Sequence, residues 1–342
     1  MSQQPGPAES KLVWWGPEHE SKATSSQPPA SQPAPRTELF NGPEVPPLEE
    51  PEPFDDSENV SRETAGLAAQ LPKPARTRVI VIANQKGGVG KTTTAVNLAA
   101  ALGFGGLRTL LIDIDPQGNA STAVGVEHRQ GVRGTYEVLL DGDAIEWHIV
   151  QSTEAPNLWV LPATIDLAAA ELELVALIGR ERRLANALER HLATHHYDYV
   201  LVDCPPSLGL LTLNALVAAN EILIPIQCEY YALEGVSQLL HTVEQVRANL
   251  NHQLVLSTIL LTMFDGRTRL SSQVADDVRS HFPAQTLETI VPRSVRISEA
   301  PSYGQTVITY HRSSAGGKAY LAAAGELAAR ASTVLAGRDK QQ

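Results

Sequence analysis

Cysteine is nearly missing from this chain: among 342 residues only Cys204 and Cys228 carry a thiol. Two cysteines cannot build a disulfide framework or a four-cysteine metal centre, so a reducing compartment is expected. Long apolar runs are missing too. No stretch approaches the roughly 18 residues a membrane-spanning helix requires. The N-terminus has no basic segment leading into an apolar one, so no secretory signal is expected. Positive charge is also short, with 27 Lys and Arg against 38 Asp and Glu and a formal net charge of −11. That balance excludes a protein that binds nucleic acid over its whole surface but leaves room for a local basic patch. Residues 78–261 hold 11 basic against 19 acidic side chains, whereas residues 262–318 hold 7 against 5. A patch is therefore sought in the C-terminal third.

What is present divides the chain at about residue 77. Residues 1–77 contain 14 of the 23 prolines, the run Ser25-Ser26-Gln27-Pro28-Pro29 and an acidic stretch from Glu49 to Glu58. So little periodic apolar sequence cannot offset the entropy of ordering, and a disordered tail is expected. Within it Lys11-Leu12-Val13-Trp14-Trp15 has the look of a short docking motif, and Ala65–Leu71 is mildly apolar. So Pro-rich a segment has no room for a helix-turn-helix module. From Thr77 onward strand-like runs occur at Val79–Ile82, Leu110–Ile112, Tyr199–Val202, Ile222–Ile224 and Leu254–Leu261. Helical stretches alternate with them at Thr92–Leu102, Glu181–Ala193, Leu208–Ala219, Ala232–Leu250 and Ser271–Phe282. Short strands apolar on both faces, alternating with helices, predict one doubly wound α/β domain over residues 78–338. Its sheet should be mostly parallel, with helices on both faces.

Three segments carry chemistry. The first is Lys86-Gly87-Gly88-Val89-Gly90-Lys91-Thr92-Thr93, between the first strand and a helix. Backbone N–H groups of a glycine-rich turn and a helix N-terminus facing one point form a phosphate-binding loop. Lys91 would neutralise the β- and γ-phosphates and the Thr92 hydroxyl would ligate Mg²⁺. One departure stands out: Gln85 occupies the position where the general P-loop pattern has glycine. The second segment, Asp113-Ile114-Asp115-Pro116-Gln117-Gly118-Asn119, ends the next strand. There a ligand-facing role competes with that of an ordinary Asp-Pro, Gly-Asn turn. The third is Tyr199-Val200-Leu201-Val202-Asp203-Cys204-Pro205-Pro206. An acidic residue closing a hydrophobic strand is the expected partner of Mg²⁺ in such proteins. Cys204 reads as a small buried residue. His195-His196 and Trp147 read as ordinary surface or core, with no metal expected there.

These segments together resemble the deviant Walker A ATPases. The resemblance narrows to the ParA/Soj family of chromosome-partitioning ATPases through Pro225-Ile226-Gln227-Cys228-Glu229-Tyr230-Tyr231-Ala232-Leu233-Glu234-Gly235, Leu261-Thr262-Met263-Phe264-Asp265 and Pro292–Ser302. It covers roughly residues 78–335 and says nothing about residues 1–77.

The resemblance implies a P-loop NTPase fold and an ATP- and Mg²⁺-dependent sandwich dimer. Lys86 matches the signature lysine that reaches the partner subunit's phosphates. Gly87, Gly88, Val89, Gly90, Lys91, Thr92 and Thr93 match the nucleotide-binding loop. Asp115 matches the residue that orients the attacking water, and Asp203 the Walker B aspartate. Thr92, Asp113 and Asp203 are assigned to the metal. Arg267 and Arg296 match positions that contact DNA nonspecifically. Arg269, Arg279 and Arg293 either widen that patch or, for Arg293 beside Pro292, face the nucleotide. The implied partners are nucleoid DNA and a ParB/Spo0J-type centromere-binding protein that stimulates hydrolysis. A polar scaffold reached through residues 1–77 is a further expected partner, and the expected location is cytoplasmic and nucleoid-associated. A membrane-bound MinD-like division ATPase is the competing reading, weakened by an Ala-rich, weakly basic C-terminal stretch, Ala319–Arg330. A nucleotide-switched scaffold is another.

Overall fold

A computed structural model describes residues 70–338 apart from residue 231. The expected tail motif at Trp14-Trp15 and the acidic stretch fall in residues 1–69 and lie outside the described residues.

Among the described residues eight strands form one sheet: β1 (Arg78–Ile82), β2 (Thr109–Asp113), β3 (Val150–Gln151), β4 (Leu158–Leu161), β5 (Tyr199–Asp203), β6 (Glu221–Gln227), β7 (Val255–Phe264) and β8 (Thr286–Pro292). Their order is β3-β4-β2-β5-β1-β6-β7-β8. Every pairing is parallel except that of β3 with β4. The central strands β1, β2 and β5 are buried along their whole length, which explains their unbroken apolar sequence. The five expected strands are all present. Two strands on one side, β3 and β4, and β8 on the other were not anticipated. β3 is only two residues long and exposed, β4 (Leu-Trp-Val-Leu) is apolar but only four residues long, and β8, at the opposite edge, carries Glu288 and Pro292.

Successive side chains of a strand point to opposite faces, and two cores follow. Val79, Val81, Val200 and Val202 face one; Ile80, Ile82, Tyr199 and Leu201 face the other. The first core is covered by α3 (Thr135–Leu140), α4 (Leu167–Leu174), α5 (Arg183–Leu192), α6 (Leu210–Ala218), α7 (Ala232–Asn249) and α8 (Arg269–His281). The second lies beneath α1 (Lys91–Phe104) and α11 (Ala315–Arg338), with α2 (Asn119–Ala123) and α10 (Val307–Tyr310) at its margin. Tyr320, Ala323, Ala324, Leu327 and Ala328 of α11 are buried, so the Ala-rich terminal helix is a packed one, as its composition predicts. Small residues on both α1 and α11 permit that close approach.

Two contacts precede β1. Leu71, inside the expected tail, donates its N–H to Gly105 O at 3.0 Å and packs against the second core, and the Thr77 hydroxyl donates to Tyr197 O. One leucine in a Pro-rich segment gives no periodic signal.

A single ion pair ties three elements together. Arg78 of β1 donates to both carboxylate oxygens of Glu221 on β6, at 2.8 and 2.6 Å, and to Leu327 O of α11 at 2.8 Å. Removing one partner of such a buried pair strands the other. Arg78→Ala should lower unfolding free energy by about 3 kcal/mol in a denaturant titration; a change under about 1 kcal/mol would remove this pair as a clamp.

Candidate functional site

The parallel register brings the chemistry together. Ile82 of β1 lies beside Asp203, and Asp203 lies beside Asp113 of β2. Three adjacent strands thus end at one level, where open α/β sheets bind ligands. From β1 the chain turns through residues 84–90 into α1. Gly88 and Gly90 adopt positive φ of 74° and 88°, backbone that a side chain would strain. A Cβ on Gly87 or Gly88 would meet nothing within 4 Å, so the loop wraps open space.

The loop is braced from outside. Asn84 Oδ1 accepts the Lys86 N–H and its Nδ2 donates to Pro225 O, while the Thr262 hydroxyl of β7 donates to Val89 O. No side chain caps the start of α1, and its first turn carries no acidic residue. Its free N–H groups and dipole therefore favour an anion. Lys91 is 7% exposed and donates to Lys86 O at 3.3 Å. Burial pulls its ammonium pKa down, opposed by the nearby Asp203 and Asp115 carboxylates.

Asp113 and Asp203 are both fully buried. Asp113 is satisfied: Oδ1 accepts Asp115 N, and Oδ2 accepts Ser121 N at 2.9 Å and the Ser121 hydroxyl at 2.8 Å. Burial pushes its carboxyl up to about 7 against those donors. Asp203 is not satisfied. Neither oxygen has a hydrogen-bond partner among the described residues, and burial together with the neighbouring Asp113 drives its pKa well above the usual carboxylate range. Thr92 approaches closely enough to favour the ionised form without meeting hydrogen-bond geometry. Asp115 is 7% exposed, and its Oδ1 accepts Gln117 N. Cys204 is buried and its thiol pKa raised by burial first and Asp203 second, which makes it an inert core residue.

Lys86, Thr92 and Thr93 are each half-buried. Pro292 and Arg293, remote in sequence, line with Gly90, Thr93, Thr262 and Met263 a cleft of about 450 Å³. Met263 there has φ 52°, a strained backbone for a side chain of its kind. Arg293 also pairs with Glu229 at 3.1 Å. The sequence offered no sign of Asn84, Ser121, Thr262 or Met263 at this site, because each acts through one tertiary contact or one dihedral angle. Arg267 lies in the β7–α8 connection and Arg296 on α9 (Val295–Glu299), and neither side chain lines that cleft. Both are exposed and each is paired locally, Arg267 with Asp265 at 2.9 Å and Arg296 with Glu299 at 2.9 Å.

A carboxyl whose folded pKa lies above its unfolded value holds more protons when folded, so its contribution to stability falls as pH rises between the two. For Asp113 that window runs from 3.8 to about 7, and the shift of Asp203 has the same sign. Asp203→Asn should therefore stabilise the nucleotide-free protein at pH 7 by about 1–2 kcal/mol, and the gain should vanish near pH 4. Thermal unfolding across pH checks this; a variant equally or less stable at pH 7 would refute the strain assigned to this carboxylate.

Known proteins agree with this geometry. Residues 77–256 match the family model described as an AAA domain. The chain is 52% identical over 252 residues to the sporulation initiation inhibitor protein Soj of Bacillus subtilis, spanning 74% of this chain and 98% of that protein. It is 54% identical over 254 residues to the chromosome partitioning protein ParA of Myxococcus xanthus, with 74% and 88% covered. Among solved structures, one described as cobyrinic acid a,c-diamide synthase from Mycobacterium smegmatis, holding ADP and magnesium, aligns with a TM-score of 0.64. It is 38% identical, with 74% of this chain and 95% of that one covered. The septum site-determining protein MinD of Pyrococcus horikoshii, complexed with Mg-ADP, aligns with a TM-score of 0.59 at 25% identity, with 72% and 94% covered. A braced phosphate loop, two buried carboxylates at its floor and relatives alike over nearly their whole length make this chain a member of the ParA/Soj family of P-loop ATPases.

Proposed function

We propose that this chain hydrolyses ATP to drive chromosome partition, as a nucleotide-dependent dimer that binds nucleoid DNA without sequence preference. One observation carries the nucleotide reading: the buried Asp203 carboxylate without a partner, at the floor of an open glycine loop beside Lys91. A buried carboxylate lacking any donor fits a cation, because only a cation or a proton can compensate it there. Asp203 and the Thr92 hydroxyl are the residues that would hold Mg²⁺. Asp113, already engaged by Ser121 and Asp115, would act from behind them. Mg²⁺ when bound supplies charge neutralisation to the β- and γ-phosphate oxygens.

The chain's own groups do the rest. N–H groups of residues 87–92 and the Lys91 ammonium bind and orient the phosphates. Lys86, at the loop mouth, reaches the phosphates of the facing subunit. The Asp115 carboxylate accepts a hydrogen bond from the attacking water and fixes its line of approach. Pro292 and Arg293 wall the cleft next to Gly90, positioned for the rest of the nucleotide. Catalytic parts divided between two subunits keep turnover slow until the dimer, and a ParB-type partner that stimulates it, align them. Arg267 and Arg296 supply phosphate contacts to DNA, doubled in the dimer. Residues 1–77 serve as a tether to a polar scaffold. The nucleoid of the cytoplasm is the working location. The packed α11 favours this reading over a membrane-attached one.

Three measurements test it. Lys91→Ala should abolish ATP binding in a calorimetric titration; ordinary affinity would sink the phosphate-loop assignment. Asp115→Ala should bind ATP yet hydrolyse it about a hundredfold more slowly, and wild-type turnover would remove Asp115 from that role. With ATP, binding to a random-sequence duplex should weaken with salt at a log–log slope of roughly −3 to −4, for about four phosphate contacts per dimer. Arg267→Glu with Arg296→Glu should lose this binding and keep basal hydrolysis. Unchanged DNA affinity would move the patch elsewhere.

A further inference from the structure

At the opposite end of β5 from Asp203, a second cluster has no part in nucleotide chemistry. His191, on the last turn of α5, and His195, four residues later, lie on one side of the helix end, joined by the His195 N–H to His191 O bond of 2.9 Å. Their rings stack with centroids 4.4 Å apart. Glu146, from the turn at Ile145–Trp147, places Oε2 3.0 Å from His191 Nδ1. One ligand atom from each of the three residues lies within 4.8 Å of the other two.

From these groups we propose a binding site for a divalent transition metal of the Zn²⁺ class, held by Glu146, His191 and His195 with water completing the shell. Two imidazoles and one carboxylate are the donor set such ions take, whereas Mg²⁺ and Ca²⁺ favour oxygen alone. Residues at i and i+4 of a helical turn lie side by side, which sets the two imidazoles next to each other. The cation would bind between His191 Nδ1 and Glu146 Oε2, with the ring proton shifting from Nδ1 to Nε2. A tetrahedral site with metal–nitrogen bonds of about 2.0–2.1 Å needs the ligand atoms somewhat closer than 4.8 Å. His195 supplies the adjustment, since it is only half-buried and follows the end of the helix.

The surroundings suit a resident ion. The His191 side chain is 0% exposed, so bulk water does not compete at that ligand. The His195 Nδ1 bond to the Thr194 hydroxyl, 3.0 Å, is the outer contact that orients a ligating ring. Tyr197 flanks His191 with ring centroids 5.7 Å apart, and Arg108 lies over the Tyr197 ring. His196 turns away to Asp198, 3.4 Å distant, and makes a neighbouring control. Bound metal would clip the end of α5 to the 145–147 turn beneath the strand that carries Asp203. The sequence spacing His195-His196 points to no such site; His191 and Glu146 complete it only in the fold.

The test titrates the full-length, nucleotide-free protein with Zn²⁺ and with Co²⁺ in excess Mg²⁺, reading calorimetry, visible Co²⁺ absorption and thermal midpoint. One equivalent should bind and give a tetrahedral Co²⁺ spectrum, and a hundredfold excess of Zn²⁺ over its Kd should raise the midpoint by about 5 °C. His195→Ala should weaken binding about a hundredfold or more, Glu146→Gln less, and His196→Ala not at all. Circular dichroism and unchanged basal ATP hydrolysis report that each variant is folded. Absence of a saturable equivalent, or Zn²⁺ affinity equal in wild type and His195→Ala, would overturn the proposal.

Discussion

Two carboxylates buried side by side, at the ends of neighbouring strands, set the terms for everything around them. Parallel pairing of β2 with β5 puts Asp113 directly against Asp203, and the strands on either side leave no solvent. Such a pair is costly, and it persists because the elements around it are held independently. Asp113 is held by the N-terminal turn of α2, through Ser121, and by the backbone of Asp115. Asp203 is left open. The difference is geometric: Asp113 ties down the segment that bears Asp115, whereas the Asp203 oxygens have no hydrogen-bond partner among the described residues.

The loop above them is organised by the same logic. The uncapped backbone N–H groups at the start of α1 need no reorganisation when an anion arrives. The bracing comes from behind, from Asn84, Pro225 and the Thr262 hydroxyl. Because Thr262 and Met263 belong to β7 and Pro292 and Arg293 to the end of β8, two strands on one side of the centre supply the wall of the cleft next to α1. A twisted parallel sheet brings all these strand ends to one edge, so residues more than 200 positions apart share one cavity.

The surface arginines belong to a different regime. Arg267 and Arg296 are exposed and paired with carboxylates two and three residues away. Such surface pairs contribute little to stability and exchange readily with solvent or with another anion.

The class of fold, the phosphate loop, the strand-ending aspartates and the packed nature of the C-terminal helix were legible in the residue pattern. Each is written in local periodicity or in glycine and lysine spacing, which physics reads without a partner segment. The edge strands, the docking of Leu71, the brace from Thr262 and the left-handed Met263 were not legible. Each depends on one contact between distant segments or on one dihedral angle, and leaves no period behind. The same holds for His191, His195 and Glu146, whose meeting depends on how α5 packs over the first core. Sequence by itself determined which groups could carry charge and phosphate; only the tertiary structure decided which carboxylate is satisfied and which is left open, because hydrogen-bond satisfaction in a buried site is a property of neighbours in space.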